Sequence, residues 1–340
     1  MIHADRSAVI ASLSAHGFLR RPRAGRAHHR EWLHFCVRDG ATELIVNLNI
    51  VGDGRVAAGE RARVLVLARR DGVWSGDLEE IELGAIDARG GQLRAHVGRH
   101  VIELAGETVR LRGGSCDGTI AYDLKLAPRT FPSLARDVPL AGSAPVSWLV
   151  VPRLLATGTL VVAGRRSELA GALAYHDHNW GRFTHRDFTW QWGHAHAGDA
   201  SVVLSRLLDR SQSTAYLQTL MLWRGARIAR IFRGGELAIR PEGFLRPQTL
   251  FTLPRLATLL AGGATEVPRV LAIEAHADGD VLTGTFTAHD LARIVVPELD
   301  ALRTTVIHEV AGELVLRGHV HGEPIVIAAP ATFELLRSVQ

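Results

Sequence analysis

The chain has 340 residues, 47% hydrophobic and 22% charged, which are the values of a globular protein with a real core and exclude a disordered chain. Formal net charge is +4, Lys125 is the only lysine, and arginines are interspersed with acids, so no nucleic-acid-binding stripe is expected. Two cysteines, Cys36 and Cys116, exclude a disulfide framework and a cysteine-based zinc motif, and they read as two buried free thiols.

Met1 to Ser14 lacks a basic region followed by an apolar run and a cleavage site, so no leader is expected. No window of about 18 apolar residues predicts a membrane span, and a cytoplasmic location is the expectation. Ser7 to Phe18 is expected to form a short helix. Strands then follow one another. Glu31 to Val37 and Glu43 to Ile50 flank the turn Arg38-Asp39-Gly40. Further strands are expected at Ala62 to Ala68, Val73 to Leu83, Gln92 to His96, His100 to Leu104, Glu107 to Leu111 and Gly118 to Ala127. The pairs Asp71-Gly72, Gly90-Gly91 and Asp117-Gly118 punctuate them as turns. Pro128 to Pro145 contains four prolines and no clear period, and reads as a long irregular connection.

Strands resume at Ala156 to Ala163 and Ser167 to Tyr175. Val202 to Leu208, Thr214 to Trp223, Arg227 to Phe232 and Leu237 to Arg240 come next, then a helical piece at Leu253 to Leu260. Val270 to Ala277, Val281 to His289, Thr304 to Val310, Glu313 to His319 and Pro324 to Ala329 finish the chain. This rhythm predicts an all-β protein of two antiparallel barrel-like domains, 1–185 and 186–340.

Chemistry concentrates between Tyr175 and His196. On a strand, Tyr175, Asp177 and Asn179 share one face, and His176, His178 and Trp180 share the other. On the next candidate strand Trp190, Trp192, His194 and His196 share a face. An earlier strand groups Trp32, His34 and Cys36. An aspartate among indoles is desolvated, which raises its proton affinity and suits it to general acid work. Indole faces stabilise a nearby cation by roughly 0.5 to 2 kcal/mol each. An acid between aromatic walls can protonate an alkene and hold the carbocation. Equally, Asp177 can simply accept hydrogen bonds from backbone and Asn179. His176 and His178 read as polar clamps between the domains and stay among the candidate catalytic residues. Trp180, Trp190 and Trp192 taken singly are core residues as readily as ligand walls. His194-x-His196 and His319-x-His321 have a spacing that strands use for metals, but no third ligand is evident, so no metal is expected.

Gly171-Ala172-Leu173-Ala174-Tyr175-His176-Asp177-His178-Asn179-Trp180-Gly181 resembles the carotenoid 1,2-hydratase (hydroxyneurosporene synthase) family and the wider AttH-type lipocalin-like group. Trp190-Gln191-Trp192-Gly193, Glu31-Trp32 with Phe35, and Trp148 with Pro152 extend the resemblance over roughly residues 30 to 225. It implies two calycin-like (lipocalin-like) barrels and cofactor-free addition of water to an isoprenoid double bond. Its acid is similar in place to Asp177, with Tyr175 beside it and Trp148 lining the cavity. Related folds also host cyclases. The expected activity is therefore acid catalysis on an apolar alkene, by hydration or cyclisation. Asp177 would be the donor, Tyr175 and Asn179 would orient it, and Trp148, Trp180, Trp190, Trp192, Trp32 and His194 would line the substrate. The partner is an apolar small molecule, with transient contact at a membrane surface allowed and no nucleic acid. A non-enzymatic lipid-binding protein, with the motif as a latch, is the alternative.

Overall fold

A computed structural model describes residues 29–339 except 52–60, 83–85, 88–92, 106–107, 141–142, 183–187, 248, 256, 258–266 and 299–302. The helix expected at Ser7 to Phe18 lies outside the described residues. Of the one expected at Leu253 to Leu260, Leu253 ends a strand and residues 258–260 lie outside them. Among the described residues there is no α-helix. Alternating burial, as in Leu93–Val97 and Ile120–Pro128, is what drives the chain into sheets. The chain divides into two units, Met1–Pro139 with Ser143–Phe183, and Leu140–Gly142 with Thr184–Gln340.

Unit 1 comprises β1 (His29–Asp39), β2 (Thr42–Val51), β3 (Arg61–Arg70), β4 (Val73–Glu82), β5 (Ile86–Asp87), β6 (Leu93–Val97), β7 (His100–Ala105), β8 (Thr108–Gly114), β9 (Ile120–Pro128), β10 (Ser133–Leu140), β11 (Ser143–Val162) and β12 (Arg165–Arg182). Their order in the sheet is β4-β3-β2-β1-β12-β11-β9-β8-β7-β6-β5, with β10 paired to β11. The sheet curls, because Glu79 on β4 lies 3.5 Å from Arg99 and 3.6 Å from His100 beside β7. The side of the sheet that carries Leu33, Phe35, Val46, Leu149, Val151 and Trp180 forms one apolar core.

Unit 2 comprises β13 (Thr189–Ala197), β14 (Ala200–Leu208), β15 (Ala215–Arg224), β16 (Arg227–Arg233), β17 (Leu237–Phe244), β18 (Phe251–Leu253), β19 (Pro268–Ala277), β20 (Asp280–Glu298), β21 (Arg303–Val320) and β22 (Glu323–Val339). The order is β16-β15-β14-β13-β22-β21-β20-β19-β17, and β18 runs parallel to β20. Arg230 on β16 reaches Asp278 at 2.9 Å and Asp280 at 3.3 Å near β19 and β20, which curls this sheet too. Leu204, Leu220, Phe286, Val310 and Phe333 belong to its core. In both units the first strand pairs with the last, β1 with β12 and β13 with β22.

Three expectations need correction. Pro128 to Pro145 is largely strand. β10 pairs only with β11, and an edge position tolerates Pro139, whose missing N–H costs no ladder bond on the open side. β21 runs unbroken through Gly312, where a Cβ would strike the carbonyl of Thr287, so the glycine marks a close strand approach and no turn. Cys116 is exposed, because it sits in the turn between β8 and β9; Cys36 is buried as expected.

Candidate functional site

The Tyr175-to-Gly181 motif lies wholly within β12, so its side chains alternate between two faces. Pairing fixes their neighbours. Asp177 stands opposite His34 on β1 and Val150 on β11, while Asn179 stands opposite Trp32 and Trp148. Tyr175 stands opposite Cys36. The Asp177 face is thus Tyr175, Asp177, Asn179, His34, Trp32 and Trp148, opposite the apolar core. Tyr175 and Asp177 are buried, as are His34, Asn179 and Trp148, and Trp32 is half-buried.

Both oxygens of Asp177 are held. Tyr175 donates its hydroxyl to Oδ2 at 2.9 Å, and the Asn179 amide donates to Oδ1 at 2.8 Å. Two such donors stabilise a carboxylate once its proton has left. Beside them the Asn47 amide donates to His34 Nδ1 at 3.2 Å, which leaves the ring proton on Nε2, 3.1 Å from Cys36 Sγ. Burial pushes His34 down to about 3, so this ring is neutral at physiological pH.

His176, His178 and Trp180 point the other way, among the core residues. The His176 ring donates from Nδ1 to the His34 carbonyl at 3.0 Å and stacks on Phe35 with centroids 4.2 Å apart. Burial, followed by the nearby His178 and His34 rings, lowers it to about 3. His178 Nε2 lies 2.6 Å from Glu31 Oε1, both residues fully buried. Sequence reasoning quoted Glu31 only as part of a motif. The structure places it as the buried partner of His178, a pairing that depends on β1 and β12 being neighbours.

Trp190, Trp192 and His194 share one face of β13 in unit 2. Their strand partners on β22 are Leu336, Glu334 and Thr332. Glu334 also stands opposite Glu309 on β21, both buried. Trp190 donates its indole N–H to Glu334 Oε1. Burial raises Glu334 above the usual carboxyl range, while hydrogen bonds from Glu309 and Trp190 act against that shift. Two buried carboxyls that face one another across a ladder disfavour ionising both at once. Sequence reasoning missed both. The available signal was a glutamate at an otherwise apolar alternation position, but Pro330 made the strand seem to stop at Ala329. Pro330 falls just outside the β13 ladder, which begins at Ala331, so β22 continues past it.

The histidines with metal-like spacing are otherwise engaged. His319 lies 2.8 Å from the Gly279 carbonyl and His321 lies 2.9 Å from that of Ala229, while His194 and His196 lie 3.3 Å apart. In unit 1 the ligand atoms of Asp77, Glu79 and Cys116 lie within 4.8 Å of one another. The Arg99 guanidinium already sits 3.5 Å from both Cys116 Sγ and Glu79, which balances the acidic charge in a cation's stead.

No protein-family model matches the chain, and no curated protein matches it. Solved structures do. An AttH-type protein from Nitrosomonas europaea superposes with a TM-score of 0.63 at 13% identity, over 90% of this chain and 91% of that one. The chain has the AttH-type fold. Kievitone hydratase from Nectria haematococca gives 0.60 at 14% identity, over 91% and 88% of the two chains. CghA gives 0.58 at 14%, over 93% of each. At these identities the likeness is one of fold. On this AttH-type scaffold Asp177 and Glu334 hold matching places, each on the closing strand of its unit, facing the first strand. Among the described residues no helix is long and apolar enough to cross a membrane.

Proposed function

We propose that the chain is a cytoplasmic, cofactor-independent enzyme that protonates a double bond of an apolar, isoprenoid-type alkene, leading to hydration or ring closure. The observation that carries this reading is the grip of Tyr175 and Asn179 on the two oxygens of Asp177, on a buried face bearing Trp148. Asp177 gives its proton to one alkene carbon, and the π electrons form the new C–H bond. The neighbouring carbon becomes cationic. Tyr175 and Asn179 stabilise the carboxylate left behind, which strengthens the acid when an alkene is the base. The indoles of Trp148 and Trp32, which flank Asn179 from β11 and β1, stabilise the cation. Water then adds and returns a proton to Asp177, or an internal alkene adds and the cyclised cation loses a C–H proton to the Asp177 carboxylate, its C–H electrons forming the new double bond. In unit 2, Trp190, Trp192 and His194 give β13 an aromatic face of its own. His176, His178 and Trp180 serve the same site from the core side by holding β12 in place. A fold relative named as a hydratase is consistent with this chemistry.

The second reading, a lipid-binding protein without turnover, is favoured by the same two hydrogen bonds, since they also satisfy a purely structural carboxylate. Incubation with linear isoprenoid alkenes in D₂O separates the two. The enzyme reading expects a product with deuterium fixed on carbon, heavier by one water for hydration or isomeric for cyclisation. Saturable binding with unchanged, unlabelled alkene would overturn it in favour of the binder.

A further inference from the structure

The seam of unit 1 is where β4 meets the start of β7. Three strands separate each of these from β12 in the sheet order. Three stretches of chain bring metal-ligating side chains to this seam. Asp77 and Glu79 stand two residues apart on β4 and so share a face. His100 opens β7, and Cys116 sits in the turn between β8 and β9. That turn is tied to β4, because the Cys116 N–H donates to Asp77 Oδ2 at 2.9 Å. The ligand atoms of Asp77, Glu79 and Cys116 lie within 4.8 Å of one another, and His100 Nε2 lies 3.6 Å from Glu79 Oε1.

His100 distinguishes this group from a cluster of surface acids. It is 2% exposed, and its Nδ1 lies 3.1 Å from the Tyr122 hydroxyl. Gly113 makes room for that pair, since a Cβ there would come within 2.5 Å of Nδ1 and 2.7 Å of the hydroxyl. The ring is thereby held with Nε2 aimed at Glu79. Neither Nε2 nor the facing Glu79 Oε1 makes a hydrogen bond, and 3.6 Å is too long for one. Buried polar atoms in native proteins find partners, and a cation between these two would satisfy both. With Nδ1–H donating to Tyr122, Nε2 offers its lone pair, the arrangement of a metal-binding histidine oriented by an outer partner. Ligands 2.0–2.3 Å from a tetrahedral ion stand roughly 3.3–3.8 Å apart, which the His100–Glu79 spacing matches. Arg99 holds the place of a cation here, but it brings one charge against two carboxylates. Its side chain is 44% exposed, so it can withdraw into solvent. A thiolate, an imidazole and carboxylates make a ligand set suited to zinc.

We propose that Asp77, Glu79, His100 and Cys116 form a zinc site that staples β4 to β7 and to the β8–β9 turn, closing the curled sheet of unit 1. Zinc takes the place of the thiol proton, which leaves to solvent, and Arg99 moves aside. The ion is structural and takes no part in the alkene reaction at Asp177. The test is a titration of the untagged full chain, stripped with a chelator, with zinc chloride. One equivalent is expected to bind and to raise the melting temperature. Cobalt(II) in zinc's place should give a sulfur-to-cobalt charge-transfer band that Cys116→Ser abolishes. Cys116→Ser and Asp77→Asn lie outside the core and should fold. Each should weaken zinc by about 10-fold or more, since even the outer partner of a ligand typically contributes that much. Asp177→Asn should bind zinc as wild type does, which separates this site from the proposed chemistry. Absence of zinc binding by wild type would mean that Arg99 is the standing counter-charge. Equal binding by wild type, Cys116→Ser and Asp77→Asn would place the ion on other residues. Either result overturns the proposal.

Discussion

Asp177 and Glu334 hold equivalent positions in two sheets of like topology, and their neighbours differ. Two residues to either side along its strand, Asp177 has Tyr175 and Asn179, which both donate to it. At the same offsets Glu334 has Thr332 and Leu336. Across the ladder Asp177 meets Val150, where Glu334 meets Glu309. Donors around a carboxyl favour the anion, whereas at Glu334 burial favours the acid and outweighs the opposing effects of Glu309 and Trp190. One scaffold position thus supports opposite proton demands, set by a few side chains.

The comparison assumes that the far side of β12 only holds the sheet together. Glu31→Ala tests this most severely. It leaves His178 buried beside an empty position, and unfolding stability should fall by about 3–5 kcal/mol in urea titration. Replacing both residues by leucine should cost less, since the pair need not be desolvated. A loss of activity at unchanged stability would instead make this face catalytic.

Tyr175→Phe removes one of the two donors to Asp177. A hydrogen bond to a charged group contributes about 1.5–3 kcal/mol, so turnover should fall about 10- to 100-fold with the melting temperature little changed. No loss would mean that the donors do not distinguish Asp177 from Glu334. Gly193→Ala probes sheet 2, because its new Cβ would run into the Phe333 ring behind the Glu334 strand. Overpacking should cost about 1–3 kcal/mol by thermal melting.

The smallest effect is on pH dependence. His34 and His176, lowered to about 3, add stability that is complete above 6.5 and is lost as pH falls from there towards 3. Glu334, raised by burial, adds stability that is complete below 4.5 and is lost as pH rises above it. Glu334→Gln should flatten the alkaline side of the stability–pH curve and leave the acid side alone. An unchanged alkaline side would mean that burial does not hold Glu334 protonated.

The strand rhythm and the two faces of the Tyr175-to-Trp180 run were legible because alternation has a period of two and needs no partner strand. Partner-dependent features were not. Glu31 gains meaning only when β1 lies beside β12, and Glu309 only when β22 passes Pro330 to bring Glu334 opposite it. Prolines at 128, 132, 139 and 145 hid β10 because a proline's cost in a sheet depends on which edge is open. The group of Asp77, Glu79, His100 and Cys116 likewise comes into view only once β4 meets β7 and the β8–β9 turn.

Asp177→Asn tests the central claim most directly. The amide keeps the shape and much of the hydrogen bonding but has no acidic proton to give. Single-turnover rates on the alkene that wild type labels with deuterium, measured beside melting curves, should fall by about 10²- to 10⁴-fold while the melting temperature stays near wild type. A variant that melts far earlier, yet whose remaining folded fraction turns over at the wild-type rate, would show that Asp177 is structural and contradict the account.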